Sequence, residues 1–331
     1  RYWGNNKNGV GLMYKLINRN KKSITADLRT KFGVKIIKKL IKNTDIIIEN
    51  YRKGTLEKWG LSYETLSKIN PGLIMVRITG FGQTGPNSHK PGFGTLAEGY
   101  AGFAAINGYE DRSPLLPGFG LADETSGLMG AFLALTALHE RDKKSGIGQV
   151  VEFGIYEPLF TLLGPQVVDY DQLGIVQTRN GSRLPFTAPR NTYLTKDDKW
   201  VSISGSAQST FERMCEALNV KHLITDTRFL DNRLRIKNAK ALDDELQEAI
   251  LKYDQSTIIK LFDEACNKDY SKFDRLPTLI IDDECDNASV NTSKTNIRKT
   301  DSEEDNEEYD PTAINRGIRK LLSAWIRNQE S

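Results

Sequence analysis

From Leu128 onward the chain carries a stretch that is apolar on nearly every side of a helix, with a carboxylate standing at its mouth. Leu128, Met129, Phe132, Leu133, Leu135 and Leu138 wrap most of the helix circumference, which predicts a buried rather than an amphipathic helix. The polar run His139-Glu-Arg-Asp-Lys-Lys, with Gly146 beyond it, marks the end. Asp123, in Gly-Phe-Gly-Leu-Ala-Asp123-Glu-Thr-Ser-Gly, lies where the helix opens. Backbone N–H groups are unpaired there and the dipole favours an anion. Asp also caps helices well, so spacing alone reads Asp123 either as a cap or as a carboxylate kept for chemistry.

The first eighty residues alternate. Ser23 to Leu28 predicts a short strand and Lys31 to Lys42 a helix, with Val34, Ile36, Ile37, Leu40 and Ile41 at helical intervals. Asp45 to Glu49 reads as a buried strand, Thr55 to Trp59 and Ser62 to Ile69 as short helices, and Leu73 to Ile78 as the next strand. A Gly-rich loop, Gly80 to Gly94, follows. Strands alternating with helices predict an α/β fold with a mostly parallel sheet covered on both faces. Further on, Thr192 to Leu194 and Trp200 to Ile203 flank Lys196-Asp-Asp-Lys199 as a hairpin, and Phe211, Met214, Cys215 and Leu218 form the inner face of a helix. Cys215 reads as packing rather than as a nucleophile.

With 331 residues, 27% charged and 38% hydrophobic, the chain can hold two domains with real cores. No apolar run reaches membrane-spanning length and no signal peptide is present, which predicts a cytoplasmic protein without membrane contact. Cys215, Cys266 and Cys285, like His89, His139 and His222, are too scattered for a disulfide framework or a zinc site. The first sixty residues carry fifteen Lys/Arg against four Asp/Glu, while Asp301 to Asp310 is almost wholly acidic. A basic end suits a phosphate-bearing ligand, and solvated helix faces account for such lysines equally.

Leu121 to Gly154, with Asp123-Glu-Thr-Ser-Gly, Ala-Leu-His-Glu-Arg and Ser-Gly-Ile-Gly-Gln-Val-Val-Glu-Phe, resembles the core signature of the family III CoA-transferases, the group of formyl-CoA transferase, carnitine CoA-transferase and the bile-acid-inducible proteins. The resemblance implies that Asp123 is a nucleophile. It would attack an acyl-CoA thioester to give an aspartyl anhydride, then an aspartyl-CoA thioester, from which CoA passes to a carboxylic acid acceptor. Covalent catalysis of this kind divides one difficult exchange into easier steps, and each step needs oxyanion donors that the sequence does not identify. CoA or acyl-CoA is then a substrate, with no permanently bound cofactor and no metal.

Three further segments carry the resemblance. Glu49-Asn50-Tyr51-Arg52-Lys53-Gly54 implies that Asn50 and Tyr51 touch the adenosine and pantetheine arm of CoA, with Lys58 and Arg29 near its phosphates. Strand-end turn chemistry explains Asn50-Tyr51 as well. Gly80-Phe-Gly-Gln-Thr-Gly-Pro and Lys90-Pro-Gly-Phe93 imply an aromatic, Phe93, entering the active site; family members often carry Asp where this chain has Gly94. Arg179-Asn-Gly-Ser-Arg183, Ala188-Pro-Arg190-Asn-Thr-Tyr193, Asp226-Thr-Arg-Phe229, Asn232 and Arg235 are similar to the family's small domain. Arg190 reads as a substrate-carboxylate partner or as a surface residue. The resemblance implies a doubly wound, Rossmann-like large domain over 1–185, a smaller α+β domain over 186–267, and interlocked homodimers.

The resemblance spans about residues 1–265. The chain starts at Arg1 rather than Met, which implies loss of the first strand–helix unit. Residues 268–331 read as foreign: Leu276-Pro-Thr-Leu-Ile-Ile-Asp282-Asp283-Glu284 and Asp310-Pro-Thr-Ala-Ile-Asn-Arg316 resemble a Walker-B-like strand and helix of the Z-type endonuclease domain in restriction-associated helicase-like ATPases. Under that alternative Asp282 and Asp283 hold Mg²⁺ and nucleic acid is a partner, yet no G-x-x-x-x-G-K-[ST] loop accompanies them. Such a strand is also common in inert α/β folds. The expectation is a truncated CoA-transferase joined to a foreign fragment, poorly soluble and with weak or no activity, or an inert chimeric remnant.

Overall fold

The computed structural model describes residues 1–267 and 281–282. The chain divides into two compact units, one containing residues 1–25 and the other residues 26–283. In the first, β1 (Asn6–Lys7) pairs antiparallel with β2 (Val10–Gly11), Asn6 opposite Gly11 and Lys7 opposite Val10. Asn8 (φ 54°) and Gly9 (φ 74°) reverse the chain between them, as a two-residue hairpin turn with two left-handed residues requires. Helix α1 (Leu12–Ile17) follows, and the Arg1 guanidinium sits 5.5 Å from the centre of the Tyr14 ring.

The second unit opens with α2 (Lys31–Ile41), whose first turn is capped by Thr30 accepting the Gly33 N–H at 3.1 Å. Then come β3 (Ile46–Glu49), α3 (Thr55–Lys58), α4 (Tyr63–Ser67) and β4 (Ile74–Thr79). Beyond the Gly-rich loop lie α5 (Gly94–Tyr100), α6 (Phe103–Ile106), the long α7 (Leu121–Glu140), β5 (Val150–Gly154), α8 (Tyr156–Leu162) and α9 (Gln166–Leu173). Strands β3, β4 and β5 form a parallel sheet with β4 central, Ile46 facing Ile74 and Thr79 facing Gly154 at the ends of the registers.

Both faces of this sheet are covered. Met75 and the adjoining Leu73 pack with Ile41, Leu56, Leu61 and Leu66 on one side, while Ile74 and Val76 meet Ala134 and Ala137 of α7 on the other. A parallel strand buried on both faces reads as a continuous apolar run rather than as alternation, which is why Leu73 to Ile78 was recognisable.

Two expectations are corrected here. Ser23 to Leu28 forms no strand: extended backbone becomes a strand only through ladder bonds, and among the described residues β3 pairs with β4 alone. Helix α7 is not buried all round. Its buried stripe is Ala122, Ser126, Gly130, Ala134 and Ala137, whereas Leu128, Phe132 and Leu135 are 74%, 65% and 63% exposed. Small side chains at four-residue spacing let the helix lie close on the sheet. Leu128, Phe132 and Leu135 therefore fall on the opposite side, while Leu138 packs beside Ala134 and Ala137.

The remainder of the unit has its own core. Strands β6 (Arg190–Leu194) and β7 (Trp200–Ser204) make the antiparallel hairpin, with Asp198 in the left-handed conformation at its turn. Helices α10 (Gln208–Ala217), α11 (His222–Thr225), α12 (Asn232–Lys237), α13 (Ala239–Ile250) and α14 (Gln255–Asn267) follow, and β8 (Ile281–Asp282) pairs antiparallel with β7. Phe211, Met214, Cys215 and Leu218 are buried in this core with Val201, Phe229 and Leu246. Arg235 is buried among them, its guanidinium 4.4 Å from the centre of the Phe211 ring. It donates to the carbonyls of Ala188, Phe229 and Ser206 and to the Gln208 side chain, at 2.8–3.1 Å. Burial lowers its pKa, because every acceptor it reaches is neutral.

Candidate active site

Asp123 is the third residue of α7, after the N-cap residue Gly120. No side chain of the N-cap residue closes the helix; instead the buried Glu98 of α5 accepts the Ala122 N–H at 3.4 Å. The capping reading of Asp123 thus fails, and its carboxylate is exposed. Among the described residues none donates a hydrogen bond to it. It lies against the first residue of α5, where a β-carbon on Gly94 would come within 2.5 Å of Asp123 Oδ2.

The carboxylate opens into a cavity of about 590 Å³ at the C-terminal ends of β3 and β4. Asn50, Lys58 and Phe93 line it together with Asp123, so four of the sequence-derived residues meet in one space. Arg29 lines a neighbouring groove of about 430 Å³ with Lys31, Lys35, Lys38 and Trp59, and Lys58 belongs to both. Tyr51 lines neither. Its ring, 43% exposed, packs edge-on against Trp59 of the groove lining, centroids 5.1 Å apart. Arg29 is tied to Asp27 through its Nε at 2.9 Å, and this bond raises the pKa of the guanidinium.

The groove therefore carries five cationic side chains and no acidic one in its lining, a surface for a polyanion. The loop that closes the cavity is held by backbone proximity. A β-carbon on Gly80 would sit 2.5 Å from the Gly92 Cα, so the loop's two ends approach only as glycines. Lys53 donates to the Ser88 Oγ at 3.2 Å across the same loop.

The sequence reading missed several neighbours. Arg77 of β4 bonds Glu49 Oε1 through Nε at 2.6 Å and Glu57 Oε1 through Nη1 at 2.8 Å. Glu49 Oε2 in turn accepts the Tyr51 N–H at 2.8 Å. Burial lowers the Arg77 pKa, but the bonds from Glu49 and Glu57 outweigh it and the net shift is upward. Thr79, also lining the cavity, has an enclosed hydroxyl without a hydrogen-bond partner among the described residues. The signal for Arg77 was present as a charged residue inside the apolar run Ile-Met-Val-Arg-Ile; nothing in the sequence pointed to Thr79.

Outside this cavity, Arg190 lines a separate hollow of about 300 Å³ with Arg183, Lys237 and Asp243, and donates to the Ser182 carbonyl at 2.5 Å. Burial pushes the Cys215 thiol up to about 12, leaving it a packing residue. Among the described residues no group of three or more His, Cys, Asp or Glu could hold a metal, and no helix is long and apolar enough to cross a membrane. Of the acidic pair in the tail, Asp282 pairs through its backbone, with Ile281, as β8, while residues 276–280, Asp283 and Glu284 of the Walker-B-like segment lie outside the described residues.

A family model described as CoA-transferase family III matches residues 1–268. The chain belongs to this family. It is 41% identical over 265 residues to a succinyl-CoA–D-citramalate CoA-transferase of Chloroflexus aurantiacus, covering 80% of this chain and 66% of that protein. A succinyl-CoA–L-malate CoA-transferase alpha subunit of the same organism is 39% identical, covering 66% of this chain and 51% of the relative. Among solved structures, a CaiB/BaiF family protein from Brucella suis superimposes with a TM-score of 0.68 at 31% identity, covering 80% of this chain and 71% of that one. The chain thus spans between about half and two thirds of the length of these curated relatives. The family model ends at residue 268, and none of these findings bears on the resemblance of the tail to helicase-like ATPases.

Proposed function

We propose that this chain transfers CoA from an acyl-CoA thioester to a carboxylic acid, with Asp123 as the nucleophile. The observation that carries this is the exposed, unbonded Asp123 carboxylate in one cavity with Asn50, Lys58 and Phe93, beside a groove lined by cations. Asp123 attacks the thioester carbonyl, forming an anhydride and releasing the CoA thiolate. The thiolate then attacks the aspartyl carbonyl, expelling the donor acid and leaving an aspartyl-CoA thioester. The acceptor carboxylate attacks this thioester, forming a second anhydride and releasing the thiolate, which then attacks the acceptor's acyl carbon and expels the Asp123 carboxylate. Each attack needs an activated acyl group but no strong base, which suits a carboxylate.

In this reading Lys58, Arg29 and the lysines of α2 hold the CoA phosphates, and Asn50 and Tyr51 shape the path of the nucleotide and the pantetheine arm. Phosphate binding by Lys and Arg is charge-assisted. The relatives' names point to succinyl-CoA as donor and a hydroxy-dicarboxylate as acceptor. We also propose a doubly wound, Rossmann-like domain over 1–185, a smaller domain over 186–267, consistent with their separate cores, and a homodimer.

Trapping decides the catalytic assignment. Incubation with succinyl-CoA and hydroxylamine should convert Asp123 to a hydroxamate, mapped by peptide mass spectrometry. Asp123→Ala should lose both adduct and transfer; an adduct that persists elsewhere in the variant would sink the proposal.

A further inference from the structure

A charged residue at the centre of a parallel sheet is costly unless it is paired and hydrogen-bonded, and Arg77 stands in the buried central strand β4 at 8% exposure. The parallel register sets Glu49 of β3 directly beside it, and the two bond at 2.6 Å. The other arm of the guanidinium reaches Glu57 in α3 at 2.8 Å. Between these two carboxylates run residues 50–56, and that stretch with the next residues supplies Asn50, Arg52, Lys53, Thr55 and Lys58 to the cavity wall. Glu49 Oε2 also accepts the Tyr51 N–H, so the clamp grips the backbone at the start of the segment as well as the helix at its end.

We propose that Arg77 is a positioning residue that fixes the segment Asn50–Lys58 in its ligand-holding shape by bonding Glu49 and Glu57 at once, an inference that rests on the reading of this cavity as a CoA site. Neutralising a buried charge on β4 requires only Glu49, which is itself buried. The Glu57 side chain is 39% exposed, so the second bond adds little to charge burial; what it does is tie α3, and with it Lys58, to the sheet. The planar fork of arginine makes two such bonds in fixed directions, which an ammonium group does not.

The test uses Arg77→Lys and Glu57→Gln in the full chain, with two readouts. Hydrogen exchange of the amides in 50–58 reports the clamp without any ligand. Calorimetric titration with free CoA reports its effect on binding. The expected result is faster exchange confined to 50–58 in both variants, with CoA affinity about tenfold weaker in Arg77→Lys, equivalent to about 1.4 kcal/mol. Should Arg77→Lys fail to fold, Glu57→Gln keeps the Glu49 pair and carries the test with the same expected pattern. Exchange that is unchanged, or that rises across the whole sheet while CoA affinity stays at the wild-type value, would overturn the proposal. Absence of CoA binding in the wild-type chain would overturn the ligand half together with the proposed function, and the exchange pattern would still decide whether Arg77 fixes the segment.

Discussion

The position that a β-carbon on residue 94 would occupy lies 2.5 Å from Oδ2 of Asp123 and 3.0 Å from its Cγ. Gly94 and the Asp123 carboxylate therefore coexist in this arrangement because residue 94 has no side chain. The absence of a side chain at position 94 thus has a steric consequence. It leaves the carboxylate of Asp123 as the acidic group at the junction of α5 and α7 that faces the cavity.

Gly94→Ala should push the Asp123 carboxylate from its place while leaving the first turn of α5 intact, since alanine favours a helix. A misplacement of about 1 Å costs on the order of 10²-fold in rate. Steady-state transfer assays should show kcat reduced to about that extent with the melting temperature nearly unchanged. A variant with wild-type kcat would show that the carboxylate does not need this position.

Thr79 carries an enclosed hydroxyl with no partner among the described residues, in the wall of the Asp123 cavity. An unsatisfied buried hydroxyl costs stability, roughly 1–3 kcal/mol. Thr79→Val, which keeps the shape, should therefore raise the melting temperature. If the hydroxyl is retained for a ligand, the same variant should lower kcat/KM; stability and transfer moving in the same direction would count against a ligand role.

Arg235 donates to three backbone carbonyls and one side-chain oxygen from inside the α10–α13 core. Its removal by Arg235→Ala uncovers the Phe211 ring and strands these neutral acceptors, each at about 1–3 kcal/mol when left unsatisfied. Chemical denaturation should register the loss. A change below about 1 kcal/mol would show that water replaces the guanidinium without difficulty.

The exposed face of α7, Leu128, Phe132 and Leu135, bears on the proposed homodimer. Contiguous exposed apolar side chains of this kind mark interaction surfaces. Phe132→Glu should shift the protein from dimer to monomer in light scattering after size separation. A dimer of undiminished stability would place the contact elsewhere.

Much of the scaffold was legible because it obeys local rules. Lys31–Ile41 repeats its apolar residues at helical intervals, Ile46–Glu49 and Ile74–Thr79 are dense β-branched runs, and the hairpin turn at Asp198 follows from its polar loop. Ser23 to Leu28 departs from its strand pattern because a strand is a property of pairing, which one segment's pattern cannot supply. Helix α7 departs from its pattern because apolar residues on all sides do not by themselves bring burial on all sides. The structure selects the side with small residues for the sheet.

The alternation of strands and helices and, through motif resemblance, the family and the candidate residues Asp123, Asn50, Lys58 and Phe93 were legible along the chain. Those are properties of residue type and order along the chain. The folded arrangement placed these four in one cavity, Tyr51 edge-on against Trp59 and Arg29 in the adjoining groove. It also decided that Arg77 joins Glu49 to Glu57 and that Gly94 makes room for Asp123. Such relations depend on register and on close approach between residues 20 to 29 positions apart in the chain, where a shift of one residue in a strand turns every side chain to the other face.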